Sequence, residues 1–280
     1  MPTYETPEAI SVDAHVGAGS IQFTASERPD TVVEVKPANP KRGKDVRAAE
    51  QTEVSYAGGV LTIRTTERRM IGPSGIVNVT VELPTGSSFE LTGSWTQVLG
   101  EGRLGKARVK TSGGDVRLDT TGPLHLKASH GSVRVDRVEG MAELTTSSGS
   151  MRVGVIDGHA VLKNSHGSTI VDIVTGELRV SGAHGDIEIG RAEGSVAATT
   201  AYGALRVLDV ARGTVQVETN FGAIEVGIRE GTAAWLDADA DNGQVRNTLT
   251  ASDAPSESED SVKVRARTKW GNIDIRRAKA

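Results

Sequence analysis

The sequence predicts an all-β fold: a parallel β-solenoid of about 18 residues per coil, two short strands in each coil, with a β-rich N-terminal cap. Three observations carry this. Glycine recurs every nine residues, at 122, 131, 140, 149, 158, 167, 176, 185, 194 and 203. It resumes after a one-residue slip at Gly213, Gly222 and Gly231, and extends upstream to Gly105 and Gly114. A fixed period of this kind marks a solenoid. Second, apolar residues fall two and four places after the glycine, as in Leu124 and Leu126, Val133 and Val135, Ile187 and Ile189. That alternation is the strand period. Third, the chain holds 33 Gly and only 3% aromatic residues, which suits a thin core of small and β-branched side chains.

Neighbouring nine-residue blocks differ. After Gly131, Gly149 and Gly167 a third apolar residue follows at plus seven: Val138, Ile156 and Val174. After Gly122, Gly140 and Gly158 the same slot holds Ser129, Ser147 and Ser165. Two blocks therefore make one coil, with strands on opposite sheets. Inward positions at 2, 4, 7, 11, 13 and 16 do not suit the three-sided hexapeptide helix, and the acyltransferase function tied to that helix falls with it. Simple alternation points Ser129, Ser147 and Ser165 inward and the residue before each turn glycine outward.

In chain order, residues 1–90 read as longer strands that start and cap the solenoid, with a short helix within Lys44–Val54. An open rung is a template for aggregation, so an end needs cover. Residues 91–250 are regular coils. Residues 251–280 are a polar loop, Ala251–Asp260, and a last coil, "SVKVRARTKWGNIDIRR".

In-register coils place equivalent residues about 4.8 Å apart, so the chain can be read as ladders. One outward ladder runs Arg117, Arg134, Arg152, Ile170, Glu188, Arg206, Glu225, Arg246, Asp274, with alternating charge expected from Glu188 onward. The ladder just before the turn glycine runs His130, Ser148, His166, His184, Tyr202, Phe221, Asn242, Trp270. His130, His166, His184, Tyr202, Phe221 and Trp270 thus form a candidate interaction edge. Planar side chains stacking along a turn is the plain reading of it; a docking edge is the functional one, because exposed aromatics in a row are unusual. Two histidines, His166 and His184, fall short of a usual metal ligand set.

Other motifs carry less. "GEGRLGKA" (Gly100–Ala107) approaches a phosphate-binding loop but lacks the hydroxyl at Ala107, and a strand pattern follows where a helix should. "DADADNG" sets Asp237, Asp239 and Asp241 on one strand face as weak metal candidates, without the glycine spacing or the final Glu of a calcium loop. With no Cys, thiolate chemistry and Cys-based metal sites are excluded. A net charge of −4 argues against nucleic-acid binding. No run reaches the length of a membrane span. The start lacks a leader pattern, which predicts a cytoplasmic protein. No cofactor and no catalytic residue are expected.

The repeated G-D/S-φ-x-φ strings, with "EVGIREGTAAWLDADA" and "VKVRARTKWGNIDIRR", resemble a bacterial adhesin-like β-strand-repeat family of unknown function, particularly its actinobacterial members. The resemblance covers nearly the whole chain. It implies a β-solenoid and binding, without a known reaction and without functional residues to carry over. The expected function is a non-enzymatic scaffold or protein-interaction module, its partner a protein or another copy of the chain. The alternative is a cation- or carbohydrate-binding solenoid. A polysaccharide-active enzyme fits less well, because turns of about four residues cannot build a cleft.

Overall fold

A computed structural model describes residues 1–65, 75–249 and 260–278. Most of the expected polar loop, residues 251–259, lies outside the described residues. The chain divides into two compact units, Met1–Glu139 and Gly140–Ala280.

The first unit is organised by two long strands. Ser11–Ser26 alternates buried and solvent-facing residues over most of its length and runs parallel to Ser88–Leu104, with Val12 opposite Phe89 and Ile21 opposite Val98. On its other side it pairs in turn with Val60–Arg64 and Val77–Pro84. Two antiparallel strands then flank these: Glu53–Ala57 on Val60–Arg64, and Asp30–Pro37 on Val77–Pro84. The helix forms over Gly43–Glu50, shorter than Lys44–Val54, because the chain must straighten at Glu53 to enter a hairpin closed by Gly58 and Gly59. Buried Asp45 ties that helix down, its Oδ1 accepting from the Ile76 N–H at 3.0 Å. Phe23 and Phe89 stack in this core, ring centres 4.5 Å apart. Regular coils follow, with Ala107–Gly113 pairing in parallel with Leu124–His130.

The second unit is a set of short parallel rungs. Leu144 pairs with Leu162, Leu162 with Val180, and Val180 with Ala198, a step of 18 residues each time. Ala198 pairs with Val217, which absorbs the one-residue slip of the glycine frame. Its core is aliphatic: Leu144, Val153, Ile156, Leu162 and Val171 are fully buried.

One expectation about facing is corrected. Ser147 and Ser165 are exposed and Ser129 is half-buried, so they form no inner ladder. The inner polar ladder lies one residue earlier, at Thr146, Asn164, Thr200 and Thr219. A first strand such as Ala160–His166 keeps strict alternation through its fifth residue, then turns two consecutive residues outward. A second strand such as Met151–Ile156 has its two outward residues mid-strand, so its last residue points in. The +6 slot is therefore inward in one half-coil and the +7 slot in the other.

The stacking order at the end is also corrected. Ser261–Trp270 lies between Gly213–Phe221 and Ala233–Asn242, pairing in parallel with both. Ile273–Arg277 likewise lies between Ile224–Ile228 and Val245–Asn247. The last coil in sequence is thus not the last in space. Val262, Val264 and Ala266 are fully enclosed there, whereas no residue of Ala233–Asn242 is buried. The strand with β-branched inward residues, Val262 and Val264, takes the inner place and the alanine-rich one is left at the edge. Charge alternation consequently stops at Glu225, which stacks on Asp274 and takes a counter-charge from Arg276 (Nε to Oε1, 2.8 Å).

Candidate functional site: an edge of stacked rings

The rings stand where each first strand meets its turn. The backbone sets their spacing: the Gly167 N–H donates to the His184 carbonyl (2.8 Å), Gly185 to Tyr202 (2.8 Å), Gly203 to Phe221 (2.9 Å) and Gly222 to Trp270 (2.9 Å). Only glycine fits these turns. At Gly185 φ is +140°, and a Cβ would sit 2.2 Å from the Gly167 carbonyl oxygen. Part of the inner polar ladder supports the turns from beneath, while the buried hydroxyls of Thr146 and Thr200 find no partner among the described residues. Asn164, only 2% exposed, donates from Nδ2 to the Gly149 and Gly167 carbonyls at 3.0 and 3.1 Å. Thr219 and Thr268 donate to the carbonyls of Gly203 and Gly222 at 3.2 and 3.0 Å.

On this frame the rings stack. His166 and His184 have centroids 5.1 Å apart and planes within 12°. His184 and Tyr202 lie at 4.8 Å and 2°, and Tyr202 and Phe221 at 5.0 Å and 4°. Trp270 is the next rung after Phe221, and Asn242 the one after that. The revised strand order therefore makes the row contiguous from His166 to Trp270, where the sequence had placed Asn242 before Trp270. Tyr202, Phe221 and Trp270 are 49%, 43% and 55% exposed, unusually open for such large apolar groups.

The stack fixes what faces outward. Ring faces cover one another, so the row presents ring edges and polar tips. His166 Nδ1 lies 3.3 Å from the Ser147 carbonyl. A carbonyl only accepts, so Nδ1 carries the proton in that bond and neutral His166 offers an Nε2 lone pair to the outside. Near-parallel rings about 5 Å apart cannot bring two nitrogens within the roughly 2.0–2.1 Å that zinc needs. Among the described residues no group of three or more His, Cys, Asp or Glu could hold a metal ion.

In the first unit the same place is held by His130, whose Nδ1 lies 3.4 Å from the Ser112 carbonyl. Sequence reading missed Trp95 there. Trp95 pairs with Gly113, is 67% exposed, and lays its ring over that glycine, where a Cβ would meet Cε3 at 2.4 Å. The glycine frame is lost at this turn because buried Thr96 occupies it, its hydroxyl bonding the Val16 carbonyl at 2.6 Å. The legible signal was a Trp one coil, 18 residues, ahead of Gly113.

Asp237, Asp239 and Asp241 do share the outer face of Ala233–Asn242. That face meets Arg265 and Arg267 of the neighbouring strand, with Asp237 opposite Arg265 and Asp239 opposite Arg267. Asp237 accepts from Arg267 Nη2 at 2.5 Å, and this bond holds its carboxyl below the ordinary carboxylate range. Asp239 and Asp241 line a groove of about 370 Å³ together with Glu218, Arg267 and Lys269. Asp237 thus has its counter-charges in the protein. "GEGRLGKA" lies across the strands Ser88–Leu104 and Ala107–Gly113, so it has no helix N-terminus to cradle a phosphate.

A family model described as Toastrack DUF4097 matches residues 8–276. Among solved structures the chain is similar to a candidate adhesin from Bacteroides fragilis, at 16% identity, covering 98% of this chain and 95% of that one, with a TM-score of 0.35. It is also similar to a candidate lipid-binding protein from Parabacteroides distasonis, at 12% identity over 99% and 96% of the two chains, with a TM-score of 0.43. No curated protein matches the chain. Among the described residues no helix is long and apolar enough to cross a membrane.

Proposed function

We propose that this chain, which belongs to the Toastrack DUF4097 family, is a non-enzymatic interaction module that docks a protein partner along His166, His184, Tyr202, Phe221 and Trp270. The supporting observation is the contiguous row of exposed rings held at 4.8–5.1 Å by stacking from His166 to Phe221. Rings locked in this way lose little conformational freedom on binding, which favours affinity. Aromatic side chains are also the commonest anchors of protein interfaces. A sugar ring would stack on an aromatic face, and between His166 and Phe221 those faces cover one another. The outward ring edges, with the His166 Nε2 acceptor, suit the polar and apolar groups of a protein loop better.

Affinity purification from the native host tests this reading, comparing the wild type with His166→Ala/His184→Ala/Phe221→Ala. The triple variant is expected to lose the proteins that the wild type recovers. Recovery of the same partners would contradict the docking edge.

A further inference from the structure

The strand Ala233–Asn242 is a second surface, independent of the ring edge. Among the described residues its one strand partner is Ser261–Trp270. The Ala233 N–H donates to the Asp260 carbonyl at 3.0 Å, so it points toward that partner side. Backbone groups alternate along a strand, so the N–H and C=O groups of Ala234, Leu236, Ala238 and Ala240 point to the other, open side. The side chains of these four face the core but are only half-buried, and Val245 on the same rung is 45% exposed. An unpaired backbone row beside an uncovered apolar row is a template for one more strand.

The outer face says which strand. Trp235, Asp237, Asp239 and Asp241 would face the alternate outward residues of any strand added here. Asp237 is already held by Arg265 and Arg267, so selection falls on Asp239 and Asp241. A second copy adding its own Ala233–Asn242 would set acid against acid, which is unfavourable directly across a pair. The chain itself shows what fits. Ser261–Trp270 (SVKVRARTKW) alternates small apolar residues with Lys263, Arg265, Arg267 and Lys269, and pairs with the acidic strand along its whole length.

We infer that the open edge of Ala233–Asn242 captures an extended segment of a partner protein that alternates basic and small apolar residues, adding it to the sheet as a strand. The test uses the full chain and a fluorescein-labelled peptide of sequence SVKVRARTKW. Saturable binding is expected in about 0.1 M salt and weakens in about 0.5 M salt. The Ala238→Pro variant removes an N–H on the open side only and leaves the existing ladder intact, so affinity should fall about tenfold or more with the melting temperature little changed. Asp239→Asn/Asp241→Asn should also weaken binding. A peptide N-methylated at alternate residues checks the same bonds from the ligand side and does not depend on a variant folding. Four results would overturn the inference: no binding by the wild type up to about 1 mM peptide; equally tight binding of SVEVEAETEW; unimpaired binding of the N-methylated peptide; or a wild-type dimer in sedimentation that is lost in Ala238→Pro, which would make the occupant a second copy.

Discussion

The second unit has two turn edges built by the same repeat, and they use opposite chemistry. At the end of the first strands, planar rings repeat from rung to rung. At the end of the second strands, charges alternate: Arg191 bonds Asp209 (2.9 Å), and Arg229 bonds both Asp209 (2.9 Å) and Glu193 (3.1 Å). In-register stacking explains the difference. Like charges one rung apart repel by about 1 kcal/mol even in water, so a charged ladder is stabilised by alternating or by a counter-charge from the side. Rings carry no such penalty, and each stacked pair adds about 0.5–1.5 kcal/mol beyond its buried area. The ion edge satisfies itself within the fold. The ring edge leaves Tyr202 and Phe221 exposed, and so can serve something outside it.

The largest expected effect breaks the frame beneath one edge and spares the other. Gly185→Ala places a Cβ against the Gly167 carbonyl at φ +140°, and should cost about 3 kcal/mol or more in urea unfolding. Gly231→Ala, near the ion edge at φ +79° with open space around it, should cost only about 1 kcal/mol. Equal losses would show that the close rung-to-rung approach is not what selects glycine.

Next, Arg229→Ala leaves Asp209 and Glu193 without their main partner and should cost about 2 kcal/mol by denaturant unfolding. Acid sharpens this. Burial alone would raise the Asp209 carboxyl, but the hydrogen bonds from Arg229 and Arg191 outweigh it, and the group lies below its ordinary value. The Arg229 bond likewise lowers Glu193. A depressed folded value stabilises the protein above the unfolded carboxylate range, near pH 4, and that contribution disappears as pH falls through the folded values. The wild-type melting temperature should therefore drop more steeply than that of Arg229→Ala as the pH falls below about 5. Parallel curves would mean these ion pairs contribute nothing to acid stability.

The smallest effect on stability belongs to the ring edge. Tyr202→Ser removes two stacking contacts at an exposed site and should cost about 1 kcal/mol. A loss above about 3 kcal/mol would make the rings structural and remove the reason to read them as a surface.

Much of this was legible because a solenoid writes its geometry as a period. The glycines at 167, 185 and 203 locate the turns, and the residues before them are the stacked His166, His184 and Tyr202. Two things were not legible. Chain order does not fix stacking order: burial of Val262 and Val264 against the alanine-rich Ala233–Asn242 decides which coil is inner, and only that ordering puts Trp270 beside Phe221. Alternation fails at turns: Asn164 and not Ser165 points in, because two residues at the strand end both leave the sheet outward. Trp95 was hidden for a related reason, its turn being held by Thr96 and not by a glycine.

The most direct measurement is site-specific photo-crosslinking in the cells that make this chain, with the photoreactive residue at position 202 on the ring edge or at position 191 on the ion edge. Both sites are exposed by about half. The account predicts a discrete protein adduct from position 202 and none from position 191. The same adducts from both positions, or none from position 202, would contradict it.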